Sequence, residues 1–216
     1  MTYKQLVNNV LKRLRERQVG TVEQNTYSTL IGMLVNDAKE EVENAWDWSA
    51  LRTTLSLNTT SGVFNYELNG TQNRFKVLDV INDTSNFFMD YQTTSDFNNF
   101  YLNNTPASGT PKYYNFNGVS SDGDTLVDLY PKPDNIYAIR FNIIQRQADL
   151  VNDDDTLTIP SKAVEMLAYA KAIEERGEDG GISVSSQYAV AKQALADAIA
   201  IEAARRPDEE TVWYPS

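Results

Sequence analysis

The sequence predicts an α+β fold in which a β domain is inserted between two pairs of helices. Helical periodicity occupies both ends of the chain, whereas residues 53–146 contain short strand-like runs separated by turn signals. We therefore expect a four-helix unit made from residues 1–52 and 158–206. An antiparallel β-sandwich or barrel is expected over 53–157, followed by an extended C-terminal tail over 207–216.

The N-terminal region predicts two antiparallel helices. The first, over 3–18, has an apolar stripe at helical spacing: Tyr3, Leu6, Val7, Val10, Leu11 and Leu14. Gly20 follows where a helix end favours glycine, and residues 21–24 have capping-box spacing, which predicts a second helix over 24–48. Its stripe consists of Tyr27, Leu30, Ile31, Leu34, Ala38, Val42, Ala45 and Trp46. The short link makes the two helices packing partners.

Two tryptophans close this helix pair. Trp46 and Trp48 are two residues apart, so they cannot share one helix face and at least one must pack elsewhere. We interpret them as packing where helices meet sheet. The alternative is a platform on which sugars stack.

The middle of the chain predicts seven short strands, because asparagine, threonine, tyrosine and phenylalanine replace the helical pattern. The predicted strands cover 53–58, 63–68, 75–81, 87–91, 112–117, 125–130 and 137–144. Turn signals such as Asn69-Gly70 separate them. Residues 92–110 are too long and asparagine-rich for a tight turn, so we expect them to project as a loop.

Two further helices are expected after the β domain. Pro160 lies near the first position of a third helix, over 160–177, and an alanine-rich run over 184–206 predicts the fourth. Arg205 and Arg206 fall in its last turn, where cations suit the helix dipole, and Pro207 ends it.

The composition excludes several classes of enzyme. The chain has no cysteine and no histidine, so disulfides, thiolate chemistry and serine–histidine catalysis are absent. The acidic clusters fall in turns or on polar helix faces, and nothing singles out a catalytic pair among them: Asp122 with Asp124, residues 153–155, and Glu40, Glu41 and Glu43. We expect no enzyme activity, no cofactor and no metal.

Two loops invite a ligand interpretation. An EF-hand counted from Asp153 would need glycine at Thr158 and glutamate at Val164, so residues 152–155 offer at most an incidental cation site. The glycine-rich residues 177–181 contain two acids in place of the lysine and hydroxyl residue of a phosphate loop, which argues against nucleotide binding.

The charge is strongly acidic but unevenly distributed. The chain carries −11, whereas residues 3–18 contain five basic side chains and one acidic one. Because nucleic-acid binding relies on cations that neutralise phosphates, most of this surface would repel DNA. The basic first helix is either an exception or a solvated face. No apolar run reaches the roughly 18 residues of a membrane span, and the N-terminus lacks the apolar core of a secretion signal, so we expect no membrane association or export.

The tail carries the sharpest functional signal. Val212, Trp213 and Tyr214 follow an acidic run, and aromatic side chains are favoured binding anchors. Together with Arg205 and Arg206 they form our candidate partner interface. The ten residues beyond Arg206 reach about 33 Å if extended, enough to touch another subunit. Alternatively, Trp213 folds back onto its own helical unit.

Several short runs resemble one family. These are L-x-x-L-x-P-x-P-x-x-x-Y-x-I over 126–139, Q-R-Q-A-D-L over 145–150, Ile159-Pro160 at the helix start, and the helix pair that closes on Trp46-Asp47-Trp48. As an order of elements over most of the chain, they resemble the head-to-tail adaptor proteins of short-tailed bacteriophages, also called tail tubular protein A or neck proteins. Residues 92–110 have no counterpart in that pattern.

The resemblance implies a virion structural protein, made in the host cytoplasm and used in the phage neck. It implies a homo-oligomeric ring, usually of twelve subunits, between the portal protein and the tail nozzle. DNA would pass through its channel without specific binding. The helical part would face the channel and portal, and the β part would lie outward or toward tail proteins.

Two other functional classes remain open from the residues alone. The aromatic-rich β domain suits a glycan-binding or glycan-cleaving tail component, although the same residues are strand formers and core. A free-standing intracellular binding domain is the third class.

Overall fold

A computed structural model describes residues 1–71, 74–102, 105–177 and 182–205. The fold is α+β with an inserted β domain, as predicted. One compact unit combines Met1–Leu51 with Gln147–Ser216, and the other is Arg52–Arg146. The α-helices are α1 (Tyr3–Arg13), α2 (Thr26–Ala45), α3 (Thr94–Leu102), α4 (Ser161–Arg176) and α5 (Ile182–Ala204). The strands are β1 (Arg52–Asn58), β2 (Asn65–Leu68), β3 (Phe75–Asn82), β4 (Phe87–Phe88), β5 (Asp90–Tyr91), β6 (Tyr113–Val119), β7 (Thr125–Tyr130) and β8 (Ala138–Gln145).

The helical unit is centred on α4, which packs against α1, α2 and α5. Small and branched side chains of α4, among them Ala163, Val164 and Ala168, are fully buried there. Polar contacts add to this packing, because the Arg13 Nε atom of α1 lies 2.8 Å from Glu165 Oε1. At the other end of α4, Arg176 donates from Nε to the Tyr27 hydroxyl at 2.6 Å. Both ends of α4 are therefore fastened to the N-terminal helix pair.

The first helix is shorter than predicted, ending at Arg13 instead of residue 18. Arg15 adopts a left-handed conformation with φ 58°, which breaks the helical path. The Asn8 side chain holds the chain beyond it, since its Oδ1 accepts from Val19 N at 2.8 Å and its Nδ2 donates to Val19 O at 3.0 Å. Residues 14–18, which the apolar stripe assigned to the helix, therefore belong to this loop.

The second helix begins at Thr26, and the predicted capping box at 21–24 is wrong. Thr21 makes no side-chain capping bond, and Val22–Gln24 forms a short 3-10 turn. Asn25 is the N-cap: its side chain accepts from Ser28 N, and the Ser28 hydroxyl accepts from Asn25 N. Asparagine satisfies the free N–H groups of a helix start as well as threonine does.

The segment 147–157, which the sequence analysis assigned to the β domain, contacts α1 and α2. Asn36 of α2 bonds both the N–H and the C=O of Leu150 at 3.0 Å. The carbonyl groups of Asp153 and Asp155 accept from Lys4 N at 3.1 Å and Tyr3 N at 2.8 Å. These N–H groups have no partner within α1, since a helix leaves its first donors free. The acidic loop therefore caps the first helix.

The β domain consists of two four-stranded sheets, ordered β1-β8-β3-β4 and β2-β7-β6-β5. Side chains from both sheets form one buried core: Leu68, Val80, Met89, Tyr114, Val127, Leu129, Ile139, Phe141 and Ile143. The predicted strand 87–91 is two short strands in different sheets, with the buried Met89 between them. The β5–β6 pair is parallel, whereas the other pairs are antiparallel.

The prediction that 92–110 projects as a loop is wrong, because α3 lies within it and packs on β6. Phe97 of α3 is buried. Phe100 stacks on Tyr130, with ring centroids 4.1 Å apart and planes 3° from parallel. This aromatic packing compensates for the poor helix propensity of an asparagine-containing segment.

Candidate assembly surface

The surface of α5 is unusually apolar for an exposed helix. Its 23 residues include only three charged ones, Lys192, Asp197 and Glu202. Val190 and Ile201 are nevertheless 47% and 64% exposed. A helix that is apolar on all sides is normally covered by protein, so this surface is suited to a partner.

A groove of about 600 Å³ runs between α4 and α5. Its apolar lining includes Met166 from α4 and Val190, Ala194, Ala198 and Ile201 from α5. Its polar lining consists of Lys162, Gln193, Asp197, Glu202 and Arg205. Pro160 completes the wall beside the start of α4. The volume is within the range of sites that hold a few large side chains.

The described ends of the two helices have defined contacts. Gly177 ends α4 in a left-handed conformation with φ 61°. The Tyr188 hydroxyl of α5 then donates to Glu174 Oε2 of α4. Burial and this bond raise the pKa of Tyr188 to about 12, so the phenol remains a hydrogen-bond donor at neutral pH.

The far end of the groove is held by a buried carboxylate. Glu202 Oε1 accepts from Ser49 N at 2.8 Å, and its Oε2 lies 3.6 Å from Arg205 Nη1. Arg205, one of the predicted interface residues, is exposed directly after α5. The other predicted interface residues, Arg206, Val212, Trp213 and Tyr214, lie outside the described residues.

The sequence analysis did not identify the groove-lining Met166, Val190 and Ile201. The available signal was the scarcity of charge along α5, because an alanine-rich helix with three charged positions has no clear polar face. Such a helix has no single apolar stripe at helical spacing, so periodicity does not show which of its residues line a groove.

The basic side chains of residues 3–18 fall into two groups. Arg13 pairs with the buried Glu165, and Lys4 Nζ lies 3.8 Å from Asp153 Oδ2. Lys12, Arg15 and Arg17 are exposed. Part of the positive charge near the N-terminus therefore serves packing within the helical unit.

The acidic run 152–155 is occupied by the protein's own donors. The Asp155 carboxylate accepts from Asn152 N at 2.7 Å and from Val151 N at 2.8 Å, and these bonds hold its pKa below the ordinary 3.8. Asp153 Oδ1 accepts from Val22 N at 2.9 Å. Within the described ranges, no three acidic side chains gather as ligands for a metal ion.

The face of α2 that packs in the helical unit includes a buried ion pair. Lys39 Nζ lies 3.7 Å from Glu43 Oε1 and donates to Gln147 O at 2.7 Å. Glu43 Oε1 also accepts from Gln147 N at 3.3 Å. The pair thus fastens the start of the acidic loop to α2, which is a structural role.

The aromatic residues of the β domain mainly contact one another. Tyr130 is covered by the stacked ring of Phe100, and Phe100 also stacks on Tyr113 at 5.6 Å. A sugar would need one such ring face free. The buried carboxylate Asp128 accepts from two amides, Asn65 Nδ2 at 2.5 Å and Asn117 Nδ2 at 2.9 Å. None of these contacts favours the glycan interpretation.

The helices in the described parts of the chain are all too short or too polar to cross a lipid bilayer.

Comparison with known proteins gave one informative result. A family model described as "SU10 adaptor protein" matches residues 1–214. No curated protein matches the chain.

Proposed function

The chain belongs to the SU10 adaptor protein family and is a structural head-to-tail adaptor of a bacteriophage, and we propose that it forms an oligomeric ring in the phage neck. In this proposal the ring lies between the portal protein and the tail nozzle and surrounds the DNA channel. The family match covers both the helical unit and the β domain.

The apolar surface of α5 is the observation that supports ring formation. A closed ring of identical subunits needs two different patches on each subunit, so that one copy binds the next head to tail. The α4–α5 groove supplies one such patch, since Val190 and Ile201 are large apolar side chains open to solvent. Burying the parts of both side chains that are still exposed would contribute about 2–3 kcal/mol at each interface.

The finer assignment follows the resemblance to adaptors of short-tailed phages. It gives twelve subunits, with the helical unit toward the channel and portal and the β domain toward tail proteins. The partner interface includes Arg205, Arg206, Val212, Trp213 and Tyr214. The protein would be made in the host cytoplasm and function in the virion.

The charge of the chain suits a channel that DNA passes without binding. The net charge is −11, and cations such as Arg13, Lys39 and Arg176 bond groups of the helical unit. Like charge would keep phosphates at a distance, so DNA would slide. Lysine and arginine side chains lining the channel of an assembled ring would contradict this proposal.

The ring is tested by native mass spectrometry and electron microscopy of the purified protein with and without portal protein. We expect closed particles whose mass is a whole multiple of the 24.3 kDa subunit, bound end-on to portal. A monomer that ignores portal, or a monomer that binds or cleaves saccharides, would refute the adaptor ring.

Deleting residues 211–216 tests the interface residues separately. The shortened chain should keep its helical circular-dichroism spectrum but dock more weakly to portal or to neighbouring subunits. Unchanged assembly would show that the tail is not part of the interface, and it would not contradict the ring itself.

A further inference from the structure

The α4–α5 groove has a polar end and an apolar stretch. The two helices are antiparallel, because Tyr188 early in α5 bonds Glu174 late in α4, while Arg205 lines the same groove as Pro160. The end near Arg205 therefore also contains Lys162, an exposed cation, and Glu202, which pairs with Arg205. Toward Val190 the lining contains the apolar side chains of Met166, Ala194 and Ala198, together with Gln193 and Asp197.

The chain that follows Arg205 has the complementary pattern. Residues 208–210 are Asp-Glu-Glu, and residues 212–214 are Val-Trp-Tyr. Carboxylates suit the end where Lys162 is exposed and where Arg205, although it pairs with Glu202, is also open to solvent. Large aromatic side chains suit apolar groove residues that would otherwise remain exposed.

The lengths also agree. From Val190 to Arg205 the helix rises about 22 Å, at about 1.5 Å per residue. From residue 209 to residue 213 an extended chain covers about 13 Å, which fits within the groove. Residues 206–216 reach about 36 Å in total, so some length is left to cross from one molecule to another.

The ends of the two helices indicate which copy supplies the segment. Gly177 ends α4 with a positive φ, the conformation that commonly ends a helix before a change of direction. After α5 the sequence is Arg205-Arg206-Pro207-Asp208, without the glycine or asparagine that such a reversal favours. Proline also biases the residue before it toward extended backbone. An immediate fold-back along its own α5 is therefore disfavoured.

We propose that the α4–α5 groove of one copy binds the C-terminal segment, residues 206–216, of an adjacent copy. The acidic residues 208–210 lie toward Lys162 and Arg205, and Trp213 and Tyr214 lie against the apolar stretch that Val190 and Ile201 border. This inference rests on the proposed ring, in which each copy has a neighbour. Each subunit would then contribute one groove and one segment.

Disulfide formation tests it in the full-length chain, which has no cysteine of its own. Gln193→Cys places a thiol in the groove, and Thr211→Cys places one in the segment, at positions that are not the proposed anchors. The two single variants are mixed, assembled with portal and oxidised. Met33→Cys, at a residue 61% exposed and outside this groove, replaces Gln193→Cys in the control mixture.

We expect the Gln193→Cys and Thr211→Cys chains to join at least ten-fold faster than the control pair. Adding Ile201→Glu to the groove chain should remove that advantage. A double variant carrying both cysteines should give a ladder of linked subunits. Equal rates in both mixtures, or a bond that closes within one chain, would overturn the inference.

The mass of the particles is also measured under reducing conditions, where no disulfide can form. Ring formation is thereby tested independently of the cross-linking rates. If rings form but disulfides form at equal rates in the two mixtures, only the groove inference is contradicted. If no rings form, the proposed function is contradicted.

Discussion

Replacing Lys39 by methionine tests how the helical unit holds the acidic loop. Lys39 is only 1% exposed, and its ammonium group lies 3.7 Å from both Glu43 Oε1 and Asp149 Oδ1. Unit charges at that separation attract by about 4.5 kcal/mol at an effective dielectric constant of about 20. The Asp149 side chain is 70% exposed, so solvent screens its share to about 0–1 kcal/mol. The pair with Glu43 therefore dominates.

We expect Lys39→Met to lower the free energy of unfolding by about 3–5 kcal/mol, because it leaves a buried carboxylate without its cation. Adding Glu43→Gln should recover about 2 kcal/mol or more, since the neutral amide still accepts from Gln147 N. Lys171→Met is the matched control. Its partner Glu41 is half exposed, so that loss should cost about 0–1 kcal/mol.

Urea unfolding followed by tryptophan fluorescence measures these changes. All three tryptophans belong to the unit that combines residues 1–51 and 147–216, so the signal reports on that unit. With a slope of about 2 kcal/mol per molar urea, Lys39→Met should move the midpoint by about 1.5–2.5 M. A midpoint no lower than that of Lys171→Met, or no recovery in the double variant, would refute the reasoning.

Two further changes probe the first helix and its cap. A Cβ atom at Gly32 would clash with the Tyr3 hydroxyl, so Gly32→Ala should destabilise the helical unit by about 1–3 kcal/mol in the same urea assay. Gly20→Ala should not, because its Cβ would lie 3.5 Å from the Gln24 Oε1 atom, an ordinary van der Waals contact. The pKa of Asp155 is lowered in the folded state, so its contribution is complete above the unfolded value of 3.8 and is lost as pH falls below it. The stability gap between wild type and Asp155→Asn should thus close below about pH 3.8, and Asp154→Asn serves as the charge-matched control; a gap that persists at low pH would contradict the cap.

The strand pattern was the most predictable part of the fold. Alternating residues in β8 place Ile139, Phe141 and Ile143 in the core, as period-two patterning requires. The exception is 87–91, where one apolar run crosses between sheets at Met89. Strand propensity predicts that a segment is extended, but it does not predict in which sheet each residue forms its hydrogen bonds.

The helix boundaries depended on side-chain bonds that periodicity does not show. The loop after α1 is set by Asn8 bonding Val19, eleven residues away. The helix α3 was missed although its cap is visible in the sequence: the Thr93 hydroxyl accepts from Asp96 N at 3.2 Å. Asparagines in its middle concealed the signal, and Phe97 supplies the tertiary packing.

The buried face of α2 was predicted only in part, because several of its members are polar. Ile31, Ala38 and Val42 are buried as the stripe indicated, but Lys39 and Glu43 are buried as well. Their partners come from Gln147 and Asp149, more than 100 residues later in the chain. Hydrophobic periodicity scores a buried ion pair as surface, so no local pattern could identify it.

The candidate surface was predictable only as a set of residue types. The composition predicts an interface at the segment with Trp213, which stays a prediction, whereas the groove became apparent only with α4 and α5 side by side. Neither Met166 nor Ile201 differs in sequence from an ordinary core residue. Only the exposure of Ile201 in the folded unit distinguishes it from such a residue.

The helical unit holds both ends of the inserted domain's chain through buried carboxylates. Glu202 of α5 accepts from Ser49 N, three residues before β1 begins. Glu43 of α2 accepts from Gln147 N, two residues after β8 ends. Both acceptors belong to helices and both donors to the unit that combines residues 1–51 and 147–216, so the chain is bonded to the helical unit immediately before it enters the β domain and immediately after it leaves.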